Sequence, residues 1–337
     1  MKGDQSTQLN GLSYAKALGC VFVIMEHSAS HYFDAVGSDW DFINIIESLT
    51  RVAVPLFIMA TGAIFLARED SASYFYGKRM IRICLPLVFW SLMYLAWGEY
   101  NGREAGNWAH AILAGPVVYH LWYLYGIIGL SLVTPILSSW FRQAKERERW
   151  ATVVVWVVLT TILPTFSAFV APLYGAPFPA TGYTILDLGG YMIFGATISA
   201  HTGGGKLCAR TGWLLYVFGT LATFVLTKVY SSHLHAHSQV FYYYNSAFVI
   251  LAAGGLFAAL SSLRKISRWV TALSASSLGV YAVHPMIMEA VSHVDLFSVI
   301  YMITKVNVLF YSILTLALSF LITALIRKSI PLARHIM

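Results

Sequence analysis

Ser13–His31 reads SYAKALGCVFVIMEHSASH, an apolar run with Lys16 near its start and Glu26–His27 deep inside it. Lys16 and His27 are eleven residues apart. At about 100° per residue they share one helix face, and the rise between them is about 16 Å. An ionisable group near the centre of a bilayer costs about 2.5–3.5 kcal/mol on insertion scales, so such groups avoid lipid and mark function. A neutral imidazole can take a proton near pH 7 or carry a group covalently. His27 is therefore the candidate catalytic group, with Lys16 its partner in substrate binding.

The other polar groups within apolar runs form two layers. The first holds Lys16, Arg79 and Arg82. Arg79 and Arg82 are three residues apart and share a helix face. Arg forks suit phosphates, and positive anchoring at the membrane surface is the alternative reading. The second layer holds Glu26, His27, Arg51, Asp187 and His284, with His120 and Trp122 further out. Six ionisable groups at related depths point to a buried polar cavity. Each has a structural alternative. Arg51 has Glu47 one turn away. Glu26 and Asp187 can pair with structural arginines. His284 precedes Pro285 and can bond a carbonyl freed by that proline. His120 and Trp122 can anchor at an interface. The chain carries no Ser-His-Asp set with a nucleophile elbow and no Gly-rich phosphate loop.

Membrane-crossing helices must position these groups. The 337 residues are 58% hydrophobic and 11% charged, against about 25% charged in soluble domains. About ten apolar segments, near 12–33, 42–67, 79–98, 117–140, 151–171, 181–200, 212–230, 240–263, 272–293 and 306–326, are each long enough to cross about 30 Å of hydrocarbon as a helix. The expected fold is an all-α polytopic membrane protein, residues 1–337 forming a single transmembrane domain. Lys and Arg fall on alternate connections: Lys2, then Arg68 to Arg82, Arg142 to Arg149, Lys206 and Arg210, Arg264 to Arg268, and Arg327 to Arg334. The positive-inside rule then puts both termini in the cytoplasm. Ser28–Ala29–Ser30 resembles a cleavage site, so a signal peptide is the alternative for the first segment. Its weakly basic lead and Glu26–His27 favour a retained span. The net charge of +7 comes with no basic aromatic patch, so no nucleic-acid partner is expected. Cys20, Cys84 and Cys208 have no metal spacing and are expected as free thiols. His233–His237 reads as a solvated loop rather than a metal site.

Several stretches together resemble the acyltransferase-3 membrane acyltransferases. Lys16-X10-His27 resembles the Arg/Lys-X10-His motif of the family's first helix. Arg51-Val-Ala-Val-Pro55-Leu-Phe57, followed by Thr61-Gly62, resembles its second-helix motif, with Thr where Ser is usual. Arg79-Met-Ile-Arg82 resembles RxxR, with Pro86 and Trp90 following. His120-Leu-Trp122-Tyr-Leu resembles HLWFL, and Ser277-Leu-Gly-Val-Tyr281-Ala-Val-His284-Pro285 resembles the late S-x-x-x-Y-x-x-H-P stretch. Tyr242-Tyr-Tyr-Asn245-Ser is a weaker match. The likeness covers nearly the whole chain and is nearest to the bacterial surface-glycan O-acetyltransferases of the enterobacterial common antigen type. The likeness is to members without a C-terminal SGNH domain, so none is expected, and Glu26 has no counterpart in the pattern.

The resemblance implies transfer of an acetyl or other acyl group from cytoplasmic acetyl-CoA to a hydroxyl of a carbohydrate, possibly lipid-linked, at the bacterial inner membrane. Lys16, Arg79 and Arg82 are then expected to bind the donor, His27, Glu26 and Arg51 to be the catalytic residues, and His120, Trp122, Asp187, Tyr281 and His284 to bind substrate. Glu26 and Asp187 are singled out by their depth in the spans and not by a family motif. His27 would act as general base or as acyl carrier, and no metal is expected. The competing readings are a proton-coupled glycan or small-solute transporter and a non-catalytic partner of a glycan synthase.

Overall fold

The computed structural model describes residues 2–33, 38–166, 185–201, 206–292 and 304–329, all of whose regular structure is helical. In chain order the helices are α1 (Lys2–Ser30), α2 (Ser38–Thr50), α3 (Ala53–Phe65), α4 (Ala72–Tyr100) and α5 (Trp108–Ala114). A 3-10 turn at Tyr119–Leu121 leads into α6 (Trp122–Gln143). Helix α7 (Glu146–Val157) continues through a π-helical turn, Val158–Ile162, to Phe166. Then follow α8 (Ile185–His201), α9 (Lys206–Leu234), α10 (Ala247–Ser261), α11 (Arg268–Ala275), α12 (Ser277–Ser292) and α13 (Thr304–Ser329).

Seven of these helical stretches are long and apolar enough to cross a membrane, and the pair α11–α12, bent by 72°, makes eight if it counts as one span. Large apolar side chains on the outside agree with that. Leu214, Phe218, Leu221 and Val225 are exposed along one stripe of α9, as are Ile81, Leu85, Val88 and Leu92 on α4. Water would not tolerate stripes of this size, whereas lipid does. Two of the ten expected segments fall outside the apolar set. Helix α1 is long, but Lys16 and Glu26 interrupt its hydrophobic run. Helix α8 has only 17 described residues, and the expected segments 151–171 and 181–200 both extend beyond the described residues.

Helix α1 is the hub, packing against α2, α3, α10, α11, α12 and α13. The closest helix approaches are made at glycines. A Cβ on Gly62 of α3 would land on the Met192 carbonyl of α8, and one on Gly195 of α8 would collide with the backbone of Met59. Gly212 of α9 faces Gly255 of α10 in the same way. Small residues permit this because dispersion at close backbone approach, not water release, holds helices together in lipid.

Prolines set the breaks. Pro55 cannot donate to the carbonyl four residues back, at Arg51, and α2 ends there before α3 begins at Ala53. Pro164 likewise frees the carbonyl of Thr160 in the π-helical turn, and the Asn245 side chain donates to it at 2.9 Å. Thr161 closes the exchange by donating to the Asn245 carbonyl at 2.6 Å.

Replacing Gly62 or Gly195 with Val should force α3 from α8, at about 1–3 kcal/mol for each overpacked site. Thermal unfolding of the purified protein in detergent reads this directly. An unshifted midpoint in both variants would show that the two helices do not meet there.

Candidate active site

Three imidazoles from three different helices converge. His27 of α1 and His284 of α12 place Nδ1 and Nε2 2.7 Å apart. The ring planes are within 19° of each other and the centroids 5.0 Å apart, so the rings meet edge to edge in nearly one plane. His284 Nδ1 donates to the Tyr281 carbonyl at 2.7 Å. That carbonyl would have accepted the helical N–H of residue 285, which proline lacks. The sequence alternative for His284 is thus realised, and the same ring also reaches His27. His120, in the 3-10 turn, is buried with its ring 5.4 Å from that of His284. Neither of its ring nitrogens has a hydrogen-bond partner among the described residues. The Tyr281 hydroxyl donates to the His120 carbonyl, tying α12 to this turn, and the Tyr119 ring meets His27 edge-on at 5.0 Å.

Cavities open on either side of this layer. The first, about 260 Å³, is lined by Lys16, Arg79, Arg82, Thr61, Tyr123, Ser277 and Tyr281, among others. None of its three cations has a carboxylate within ion-pair distance among the described residues. The Arg79 guanidinium lies 4.3 Å from the Phe65 ring centroid, and its Nε is unbonded. Three cations around one cavity without a carboxylate beside them make its potential favourable to an anion. The second cavity, about 420 Å³, is lined by His31, Arg103, Glu104, Tyr119, Pro285, Glu289 and Tyr311, among others. Arg103 donates to Glu289 at 2.7 Å, and the Trp97 indole holds the other oxygen of that carboxylate at 2.8 Å. Each chain crossing the layer has one end in each cavity: Lys16 and His31 flank His27, Tyr123 and Tyr119 flank His120, and Tyr281 and Pro285 flank His284.

The remaining expected residues lie elsewhere. Glu26 and His27 leave α1 about 100° apart, and Glu26 turns away from the imidazoles to Arg51. Arg51 donates to Glu26 at 2.7 Å and also to Glu47, which is fully buried. Its guanidinium sits 4.7 Å from the Tyr242 ring centroid. Glu26, Glu47 and Arg51 form a buried triad that locks α1 to the α2–α3 break. Trp122 points the other way from His120, stacking on Tyr244 at 6.0 Å, and Asp187 is buried in the first turn of α8. Sequence reasoning missed Tyr119, Trp97, Arg103 and Glu289. Tyr119 adjoins His120, and Glu289 lies one turn past His284–Pro285, so proximity in sequence was the available signal.

Of the expected free thiols, Cys20 and Cys84 are free, and the Cys20 Sγ–H donates to the Ser277 carbonyl. Cys208 lies outside the described side chains. Among the described residues no three His, Cys, Asp or Glu side chains stand close enough to hold a metal ion. In the His-rich loop, His237 stacks on Trp40 at 3.9 Å and donates to the Phe33 carbonyl.

Fold and site together define a polytopic membrane protein with an imidazole centre between two cavities, one of them lined by three cations. The acyltransferase domain that defines the acyltransferase-3 family matches residues 9–324, and the chain belongs to that family of membrane acyltransferases. No curated protein and no solved structure matches it.

Removing Arg51 strands two buried carboxylates, which costs about 3–5 kcal/mol. Arg51→Ala should therefore lower the thermal midpoint and the yield of folded protein before any effect on chemistry is read. A variant with wild-type stability would show that Arg51 does not hold the triad together.

Proposed function

We propose that this protein is a bacterial inner-membrane O-acetyltransferase, moving an acetyl group from cytoplasmic acetyl-CoA to a hydroxyl of a surface or periplasmic glycan. The observation that carries this reading is the layer of imidazoles between a tri-cationic cavity and a second cavity at the opposite end of α1. Ten spans with both termini cytoplasmic follow from the charge pattern, with α1 and α8 added to the apolar set. That orientation makes the Lys16 cavity the cytoplasmic one. Its cations hold the phosphates of the donor, and the acyl arm runs the roughly 16 Å from Lys16 towards His27.

The acceptor enters through the second cavity. Its hydroxyl attacks the thioester carbonyl carbon as His27 takes the hydroxyl proton. The C–S bond breaks, and the same proton goes to the departing thiolate of CoA. Direct transfer needs no acyl-imidazole protected from water, and general-base help of this kind contributes about 10²–10⁴-fold. The buried His120, His284 and Tyr281 wall the layer and restrict water around His27, which favours the acceptor over hydrolysis. Glu26 and Arg51 serve this chemistry by fixing α1, and the Trp122 and Asp187 side chains shape the surroundings of α6 and α8.

His27→Ala should abolish transfer to glycan while the protein stays folded and still binds acyl-CoA. Near wild-type acetylation in that variant would reject the reading, and labelled acetyl trapped on His27 without acceptor would replace the base mechanism by a carrier one. Arg79→Ala and Arg82→Ala should each weaken acyl-CoA binding by about 1.5–3 kcal/mol, measurable by calorimetry; unchanged affinity in a folded double variant would take them out of the donor site. A reporter fused to the C-terminus should report cytoplasmic, and a periplasmic signal would reverse the assignment of the two cavities.

A further inference from the structure

The proton positions in the imidazole layer follow from one backbone oxygen. The Tyr281 carbonyl can only accept, so the His284 Nδ1 facing it at 2.7 Å carries a hydrogen. In a neutral imidazole the other nitrogen is then a bare acceptor. That nitrogen, Nε2, faces His27 Nδ1 at 2.7 Å, so His27 Nδ1 must be the donor. The hydrogen of neutral His27 is thereby confined to Nδ1, leaving Nε2 with its lone pair free. Nothing among the described residues hydrogen-bonds to Nε2, and His27 is only half-buried.

We infer that His284 is the positioning residue of the reaction: anchored on the carbonyl that Pro285 frees, it sets the tautomer of His27, makes Nε2 the reacting atom, and shares the charge His27 acquires. In hydrolytic triads a carboxylate does this work. Here the neighbouring carboxylate, Glu26, is committed to Arg51, and a second imidazole stands in its place. When His27 Nε2 takes the acceptor proton, the Nδ1 proton can shift along the 2.7 Å bond onto His284 Nε2. His284 then becomes the cation and strengthens its Nδ1–H bond to the Tyr281 oxygen. The proton at Nε2 passes to the thiolate, the shared proton returns to His27 Nδ1, and both rings end neutral. A histidine facing a carboxylate would be held charged more strongly. An imidazole partner leaves it neutral at rest, which an attacking-proton acceptor needs. This inference rests on the acyl-transfer reading for its catalytic part and on geometry alone for the tautomer.

The test uses the full-length protein in nanodiscs with ¹⁵N-labelled histidine. Nitrogen spectra of the wild type, assigned by comparison with His27→Ala, should show His27 as the Nδ1–H tautomer; an Nε2–H tautomer overturns the inference. His284→Leu keeps a similar volume but offers no acceptor, so His27 should shift towards the Nε2–H form. In that variant kcat should fall about 10²–10⁴-fold, the range for a mis-set catalytic histidine, with KM for acyl-CoA unchanged. His284→Gln places an amide oxygen near the lost Nε2 and should recover part of kcat and the Nδ1–H signal. Equal losses in Leu and Gln variants with an unmoved His27 tautomer would reduce His284 to a packing role and overturn the inference. A shifted tautomer in a protein that transfers no acyl group at all, wild type included, would uphold the dyad and reject the acyl-transfer reading instead.

Discussion

Helix α1 carries a cation, a carboxylate and an imidazole into a medium that cannot solvate them, and the architecture answers each with a different neighbour. In hydrocarbon an unmatched polar group costs several kcal/mol, so partners must come from protein. Glu26 is met by Arg51 at the α2–α3 break. His27 is met by His284 of α12. Lys16 is met by no carboxylate among the described residues, only by further cations around a cavity. The first two contacts fix the helix in place, and the third leaves a charge deficit that an anionic ligand can fill.

Proline turns the same constraint into a device. Each internal proline strips one N–H from the helical ladder and leaves one carbonyl wanting a donor. At Pro55 the helix breaks and Arg51 lies at the corner between two carboxylates. At Pro164 an asparagine from the segment before α10 supplies the donor. At Pro285 the donor is the preceding histidine, whose second nitrogen is thereby orientated towards α1. Satisfying the backbone and pairing the two imidazoles are here one hydrogen-bond chain.

On the proposed acyl-transfer reading, the two cavities would let donor and acceptor meet at the imidazole layer with neither of them crossing the membrane. Between the cavities lie His27, His120 and His284, with Tyr281 lining one cavity and Tyr119 the other. The glycine contacts bring α3 onto α8 and α9 onto α10 and keep the surrounding helices close-packed.

The sequence by itself determined the all-helical membrane character, because composition and run length bound it, and it determined the grouping of Lys16, Arg79 and Arg82, because helical period puts such groups on shared faces at shared depths. It also held both readings of His284, since Pro285 follows directly. Tertiary structure alone decided which way each polar group looks. Glu26 and His27 are adjacent in sequence, yet the turn of α1 sends one to Arg51 and the other to His284. His120 and Trp122 belong to one motif, yet only the histidine joins the imidazoles. Depth along a helix is linear in residue number and can be read from sequence. Azimuth has meaning only relative to neighbours, and those are chosen by packing between residues more than two hundred positions apart, as His27 and His284 are.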